Sequence, residues 1–230
     1  MNSLPAKLSA VLKSYRNLLE EIDDWFTACQ TQFPEQVFCR KACSGCCRGL
    51  FDITLMDAAL LQQGMIQLAT DQQQQILARS QVRAQELVRR WPDLPPSWVL
   101  NRLPDESWQQ MPEDDPIPCP LLSATGECLA YRYRPMICRL HGLPNIDISG
   151  EDFSSELCNR NFPDRDPFVT KELRWKFRET FQAEIHLFEE FSRQLCGVAL
   201  RELDTFIPCV PLIDFTHIDW QAQLTDYASE

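Results

Sequence analysis

The chain has 230 residues, 22 of them basic and 33 acidic, so its formal charge is −11 with the three histidines neutral. An apolar content of 44% against 24% charged residues excludes general disorder and leaves ample chain to bury a core. The negative surplus argues against nucleic acid and anionic lipid as partners. Only seven glycines are present, which disfavours glycine-rich phosphate loops and turn-dense β architectures, and no G-x-G-x-x-G or Walker pattern occurs.

The first helix is legible from Leu4, Leu8, Val11, Leu12, Tyr15, Leu18, Leu19, Ile22, Trp25, Phe26 and Cys29, which recur at steps of three and four residues. Pro34 marks the connection after it. A cysteine-rich loop runs from Cys39 to Cys47, and Leu50 to Ile53 are expected to form a short strand. Thr54 then opens a second helix, with Asp57 three residues on as a variant capping-box partner. A third helix is expected from Asp71 to Trp91, with the Gln72–Gln75 run as its solvated first turn. Residues 91 to 120 hold eight of the 16 prolines and predict an irregular connection, because proline lacks the amide donor and restricts φ. The acidic triplet at 113–115 is expected on a solvated face. From Thr170 to Cys196 the stripe Leu173, Phe177, Phe181, Ile185, Phe188 and Leu195 predicts a long helix, with Gly197 as its C-cap. No unbroken apolar run is long enough for a signal-peptide core or a membrane span. The expectation is a mainly α, single helical domain over residues 1–230 with irregular cysteine-rich metal-binding loops and little or no β. It is expected in the cytoplasm, where disulfides do not persist and clustered cysteines point to metal or redox chemistry.

Eleven cysteines are present. The first cluster is Cys39, Cys43, Cys46 and Cys47, a C-x3-C-x2-C-C pattern; the second is Cys119, Cys128, Cys138 and Cys158. Thiolates two to four residues apart on a turn can converge on one ion, and Gly45 lets the Cys43–Cys46 knuckle reverse. Cys46 and Cys47 are adjacent, so their side chains diverge and serve different metal atoms if both serve any. Eight thiolates supply two four-sulfur sites, or one cluster with spares. Soft sulfur donors suit both Zn2+ and iron–sulfur clusters, and the C-x3-C-x2-C spacing, which radical-SAM enzymes use for a [4Fe–4S] cluster, favours iron–sulfur. The β/α alternation of those enzymes is missing.

The motifs resemble the YkgJ-like cysteine-cluster family, described as a zinc- or iron-chelating domain with a C-x-x-C-x-x-C-C hallmark. The residues that carry the likeness are the first four cysteines, Pro118-Cys119-Pro-Leu121, Gly126-Glu-Cys128 and Tyr133-Arg-Pro-Met-Ile-Cys138-Arg139. The likeness covers about residues 36 to 160, and the first gap is three residues where the hallmark has two. It implies metal binding and no particular reaction. Some larger relatives are flagellin lysine methylases, whose substrate and methyl-donor sites nothing here identifies.

Around the cysteines, Arg132, Arg134 and Arg139 are candidates to offset thiolate charge and donate N–H···S bonds, Arg134 and Arg139 foremost. Binding of an anionic substrate carboxylate is the other reading of these arginines. His141, three residues after Cys138, is either a fourth ligand of a Cys/His zinc site or a loop residue bonded to a backbone carbonyl. Cys29 and Cys196 lie on apolar helix faces and are expected in the core, and Cys209, between two prolines, points to nothing specific. The expected function is a thiolate-held iron–sulfur cluster or Zn2+ with an electron-transfer or cluster-assisted redox role and a protein redox partner. A structural zinc interaction module is the alternative, and thiol–disulfide exchange ranks third.

Overall fold

The computed structural model describes residues 4–104, 115–154 and 157–224. It is mainly α, with 52% helix and 7% strand. Helix α1 (Ser9–Gln32) follows one 3-10 turn at Ala6–Leu8, and its expected stripe from Val11 to Cys29 is buried apart from half-buried Leu18. The chain then passes through the cysteine loop to β1 (Asp52–Thr54), two residues later than expected, and into α2 (Leu55–Ile66). Thr54 caps α2 by accepting from the Asp57 amide at 3.1 Å. The Asp57 carboxylate does not return to the cap; it turns inward to the Tyr15 hydroxyl and the Met136 amide. Helix α2 is buried on nearly every side, so its sequence carries no stripe. Gly64 is what admits its neighbour, since a Cβ there would lie 2.5 Å from the Tyr133 ring.

Helix α3 (Thr70–Arg90) packs against a 3-10 turn at Ile207–Leu212. Its glutamines are not merely solvated: Gln72 accepts from the Ala69 amide at 3.3 Å, and Gln73 donates to the Leu68 carbonyl at 2.8 Å. The proline-rich stretch up to 104 is irregular apart from a 3-10 turn at Leu100–Arg102. It nevertheless builds a second apolar cluster in which Trp91, Leu94, Leu100 and Leu103 meet Phe206 and Cys209. Of the acidic triplet, Glu113 and Asp114 lie outside the described residues. Asp115 is not solvated but ion-paired with Arg83, its side chain only 5% exposed.

Helix α4 (Met136–Leu140) starts after Pro135, whose restricted φ suits an N-terminus. Two short strands follow, β2 (Asn145–Ile146) and β3 (Asp152–Ser154), paired antiparallel. Helix α5 (Phe177–Cys196) begins seven residues later than the apolar period suggests, because Trp175 is engaged in a parallel bridge with Asp147. Its buried face includes Phe188, Phe191 and Leu195, while Ile185 is exposed. Gly197 caps the helix in the left-handed region at φ 85°. Strand β4 (Asp204–Phe206) pairs antiparallel with β1, placing Ile53 opposite Thr205, and α6 (Trp220–Leu224) lies near the end of the described chain.

One apolar cluster draws on residues from Leu8 to Leu224, with α1 packed on α5, α4 and α2. At its centre the Trp25 ring meets Phe177 edge-on at 5.0 Å, and the indole N–H donates to the Leu173 carbonyl at 3.1 Å. Burying the aromatic body while satisfying its one polar atom is how a tryptophan sits inside a core. Among the described residues, no helix is long and apolar enough to cross a membrane.

Candidate metal centre

The cysteine segments are held to one another largely by backbone. Before Cys43 the chain turns through Ala42 at φ 65°, a conformation an L-residue adopts only under local constraint, and the Cys43 amide donates to the Arg40 carbonyl at 2.8 Å. A 3-10 turn at Gly45–Arg48 then carries Cys46 and Cys47. The Cys47 carbonyl accepts from the Cys119 amide at 2.7 Å, which joins the second cluster to the first across more than seventy residues. Cys128 returns beside Cys119 through a bridge to Leu122, and Cys138 sits within α4.

Asn161 stitches the remaining pair. Its side chain donates to the Cys39 sulfur at 3.3 Å and the Gly142 carbonyl at 2.6 Å, and it accepts from the Phe38 amide at 2.9 Å. The Asn161 amide itself donates to the Cys158 carbonyl at 2.9 Å. Gly142 has φ 115°, and a Cβ there would stand 3.1 Å from the Cys39 sulfur and 3.8 Å from Cys158 Cβ, so this wall accepts only glycine. Arg160 approaches the Cys43 sulfur at 4.0 Å. Neither Asn161 nor Arg160 was singled out from sequence. The one available signal was their place two and three residues after Cys158.

Six cysteines (Cys43, Cys46, Cys47, Cys119, Cys128, Cys138) line a cavity of about 520 Å3. Burial, then the neighbouring Cys119 and Cys128 sulfurs, pushes the Cys138 thiol well up. Burial pushes Cys119 up to about 12, with Cys128 and Cys46 adding to the effect. Cys39 is raised by burial, which the Asn161 N–H partly opposes, and further by Cys158, Cys43 and Cys46. Cys119, Cys128 and Cys138 are thus one electrostatic neighbourhood; Cys39, Cys43 and Cys158 are another. Cys46 acts on both, and its own thiol is raised chiefly by its hydrogen bond with Cys47.

Arg134 opposes these shifts at Cys46 and Cys128. Its guanidinium donates to Asp23 at 2.7 Å and lies over the Tyr131 ring at 4.1 Å, and its Nε is buried without a partner among the described residues. Arg139 is buried one step further back. It pairs with Asp23 and donates to the carbonyls of Arg132 and Arg134, each at 2.9 Å, so it fixes the backbone that presents those two arginines. His141 lines the cavity with its ring edge-on to Phe51 at 5.7 Å. Cys29, Cys196 and Cys209 are buried in the apolar core, where burial pushes Cys29 up to about 11 and Cys209 up to about 12.

In kind and number, eight thiols from four chain segments fit a soft metal, which holds crowded sulfurs as thiolates that burial alone disfavours. In geometry, no group of three or more His, Cys, Asp or Glu among the described residues is arranged to hold an ion. Compared with family models, curated proteins and solved structures, the chain finds no match.

Proposed function

We propose that this protein holds a thiolate-ligated metal centre, an iron–sulfur cluster in preference to Zn2+, and passes electrons through it to a protein partner. The observation that carries the reading is that six cysteines from residues 43–47, 119–128 and 138 line one cavity, while Cys39 and Cys158 meet beside Gly142. Disordered or purely core-packing thiols need no such convergence, and the three cysteines in the apolar core show how packing thiols look here. In this reading Cys119, Cys128 and Cys138 make one ligand set and Cys39, Cys43 and Cys158 another. Cys46 and Cys47 complete them, and Arg134 offsets part of the thiolate charge. A bound cluster supplies reversible one-electron chemistry.

The test is elemental analysis with a visible spectrum on full-length protein purified without oxygen and without a His-tag. Iron, acid-labile sulfide and a broad band near ~400 nm, bleached by dithionite, are expected of a thiolate-held cluster. Stoichiometric zinc without colour would replace the redox role with a structural zinc module. Absence of iron, sulfide and zinc would sink the metal reading altogether.

A further inference from the structure

The cavity that the cysteines border has walls of a different chemistry from its sulfur side. Leu50, Phe51, Leu61, Leu121, Ile207 and Pro208 make them apolar, and a volume of about 520 Å3 lies within the range of small-molecule sites. Its charged lining is five basic residues against two acidic ones, in a chain whose overall charge is −11. Most of these charges are already matched. Arg83 pairs with Asp115, Lys41 with Glu127 at 3.0 Å, and Arg134 with Asp23. Two guanidiniums are left over. Arg40 and Arg132 both line the cavity, both are exposed, and neither has an ion pair or side-chain hydrogen bond among the described residues.

Their backbones are nonetheless held. The Arg132 carbonyl is bonded by buried Arg139, and the Arg40 carbonyl closes the turn before Cys43. Fixed backbone with unengaged guanidinium heads over an apolar interior is an arrangement that recognises one anionic head on an apolar body. Planar guanidinium forks match a carboxylate with paired N–H···O bonds. A polyanion would meet the repulsion of the whole chain and an apolar floor, which leaves a monoanion as the better match.

We infer that the cavity binds a small amphiphilic carboxylate, with its head between Arg40 and Arg132 and its apolar body against Phe51, Leu61 and Ile207. The inference goes beyond the metal centre and does not require one.

Calorimetric titration of the full-length protein with decanoate and with 2-naphthoate, beside decan-1-ol as the uncharged control, tests it. Saturable 1:1 binding of at least one carboxylate is expected, weakening as salt is raised because the head-group contacts are exposed. The double variant Arg40→Gln/Arg132→Gln should weaken that binding by about tenfold or more while leaving decan-1-ol unchanged, as loss of charge-assisted hydrogen bonds requires. Both positions are on the surface, so the variant's thermal melt should overlay that of the wild type. Failure of both carboxylates to bind, or equal binding by the variant, would overturn the inference. Metal content measured on the same samples separates the two readings. Carboxylate binding by metal-free protein would uphold the pocket and remove the metal centre, whereas metal-loaded protein that ignores both carboxylates would do the reverse.

Discussion

The two halves of this molecule are buried by different means. Where α1 meets α5, aromatic and aliphatic side chains fill the interior, and the Trp25 indole N–H inside it is satisfied by the Leu173 carbonyl. Where the cysteine loops meet α4, apolar side chains such as Leu121, Met136 and Leu140 share the interior with sulfurs that influence one another, and burial holds the Cys39, Cys119 and Cys138 thiols away from the charged form. The first region is stabilised by removing apolar area from water, about 25 cal/mol for each Å2. The second packs several of its cysteines against the same apolar cluster and is further held by backbone bonds such as that from Cys119 to Cys47, together with the stitch at Asn161. In the proposed reading, a cation that takes the protons' place would stabilise a wall whose thiols burial keeps from ionising. The contrast therefore teaches where ligand-dependent stability should be sought.

A joint links the two regions. The Tyr15 hydroxyl of α1 donates to Asp57 of α2 at 2.9 Å and lies 3.2 Å from Glu184 of α5, while Asp57 also accepts from the Met136 amide at the start of α4. Core helices and the Cys138 helix thus share one buried polar cluster.

The largest expected effect falls on the cysteine side. Cys138→Ser should lose metal and lower the unfolding free energy by on the order of 5 kcal/mol relative to the loaded protein, because metal-binding energy is folding energy in such sites. Cys29→Ala, in the apolar core, should keep full metal content. Equal metal in both variants and the wild type, measured by elemental analysis, would dissolve the distinction between the two regions.

The core side answers with a smaller change of a different kind. Phe177→Ala, at a fully buried ring packed on Trp25, should cost about 3–5 kcal/mol in denaturant unfolding while metal per folded molecule stays constant. A parallel loss of metal would show that the regions are not separable.

The smallest effect belongs to the joint. Burial, and next the Asp57 charge, raises the Glu184 carboxyl from its ordinary 4.5 to about 8. Between those values the folded protein keeps a proton that the unfolded chain has released, so stability is full below about pH 4.5 and declines as pH rises toward 8. Glu184→Gln should flatten that decline by roughly 1 kcal/mol between pH 5 and 8, a figure discounted for the partial exposure of this side chain. Asp57, raised to about 6, and Asp204, raised to about 7, leave a residual slope of the same sign. An unchanged slope in the variant would remove Glu184 from the joint.

Sequence periodicity and punctuation were sufficient for much of the helical frame. The buried stripe of α1, the Thr54 cap and the Gly197 stop each depend on residues within a few positions of one another, so they are local and legible. Helix α2 was legible only by its cap, since burial on all sides erases the amphipathic signal. The late start of α5 was not legible, because Trp175 answers to Asp147 rather than to its helical neighbours. In the site, the eight cysteines were visible from spacing, but Asn161 and the division of the sulfurs into two neighbourhoods were not.

By itself, then, the sequence determined the mainly α class, the principal caps and the identity of the clustered thiols, all consequences of short-range geometry and residue chemistry. Only the tertiary structure decided that Cys119 docks on Cys47, that Asp115 is buried against Arg83, and that Arg40 and Arg132 are left unpaired among the described residues around an apolar cavity. Those outcomes join residues up to about ninety positions apart. Which distant groups meet depends on how the whole core closes, and a loop's own residues do not encode what will stand opposite them.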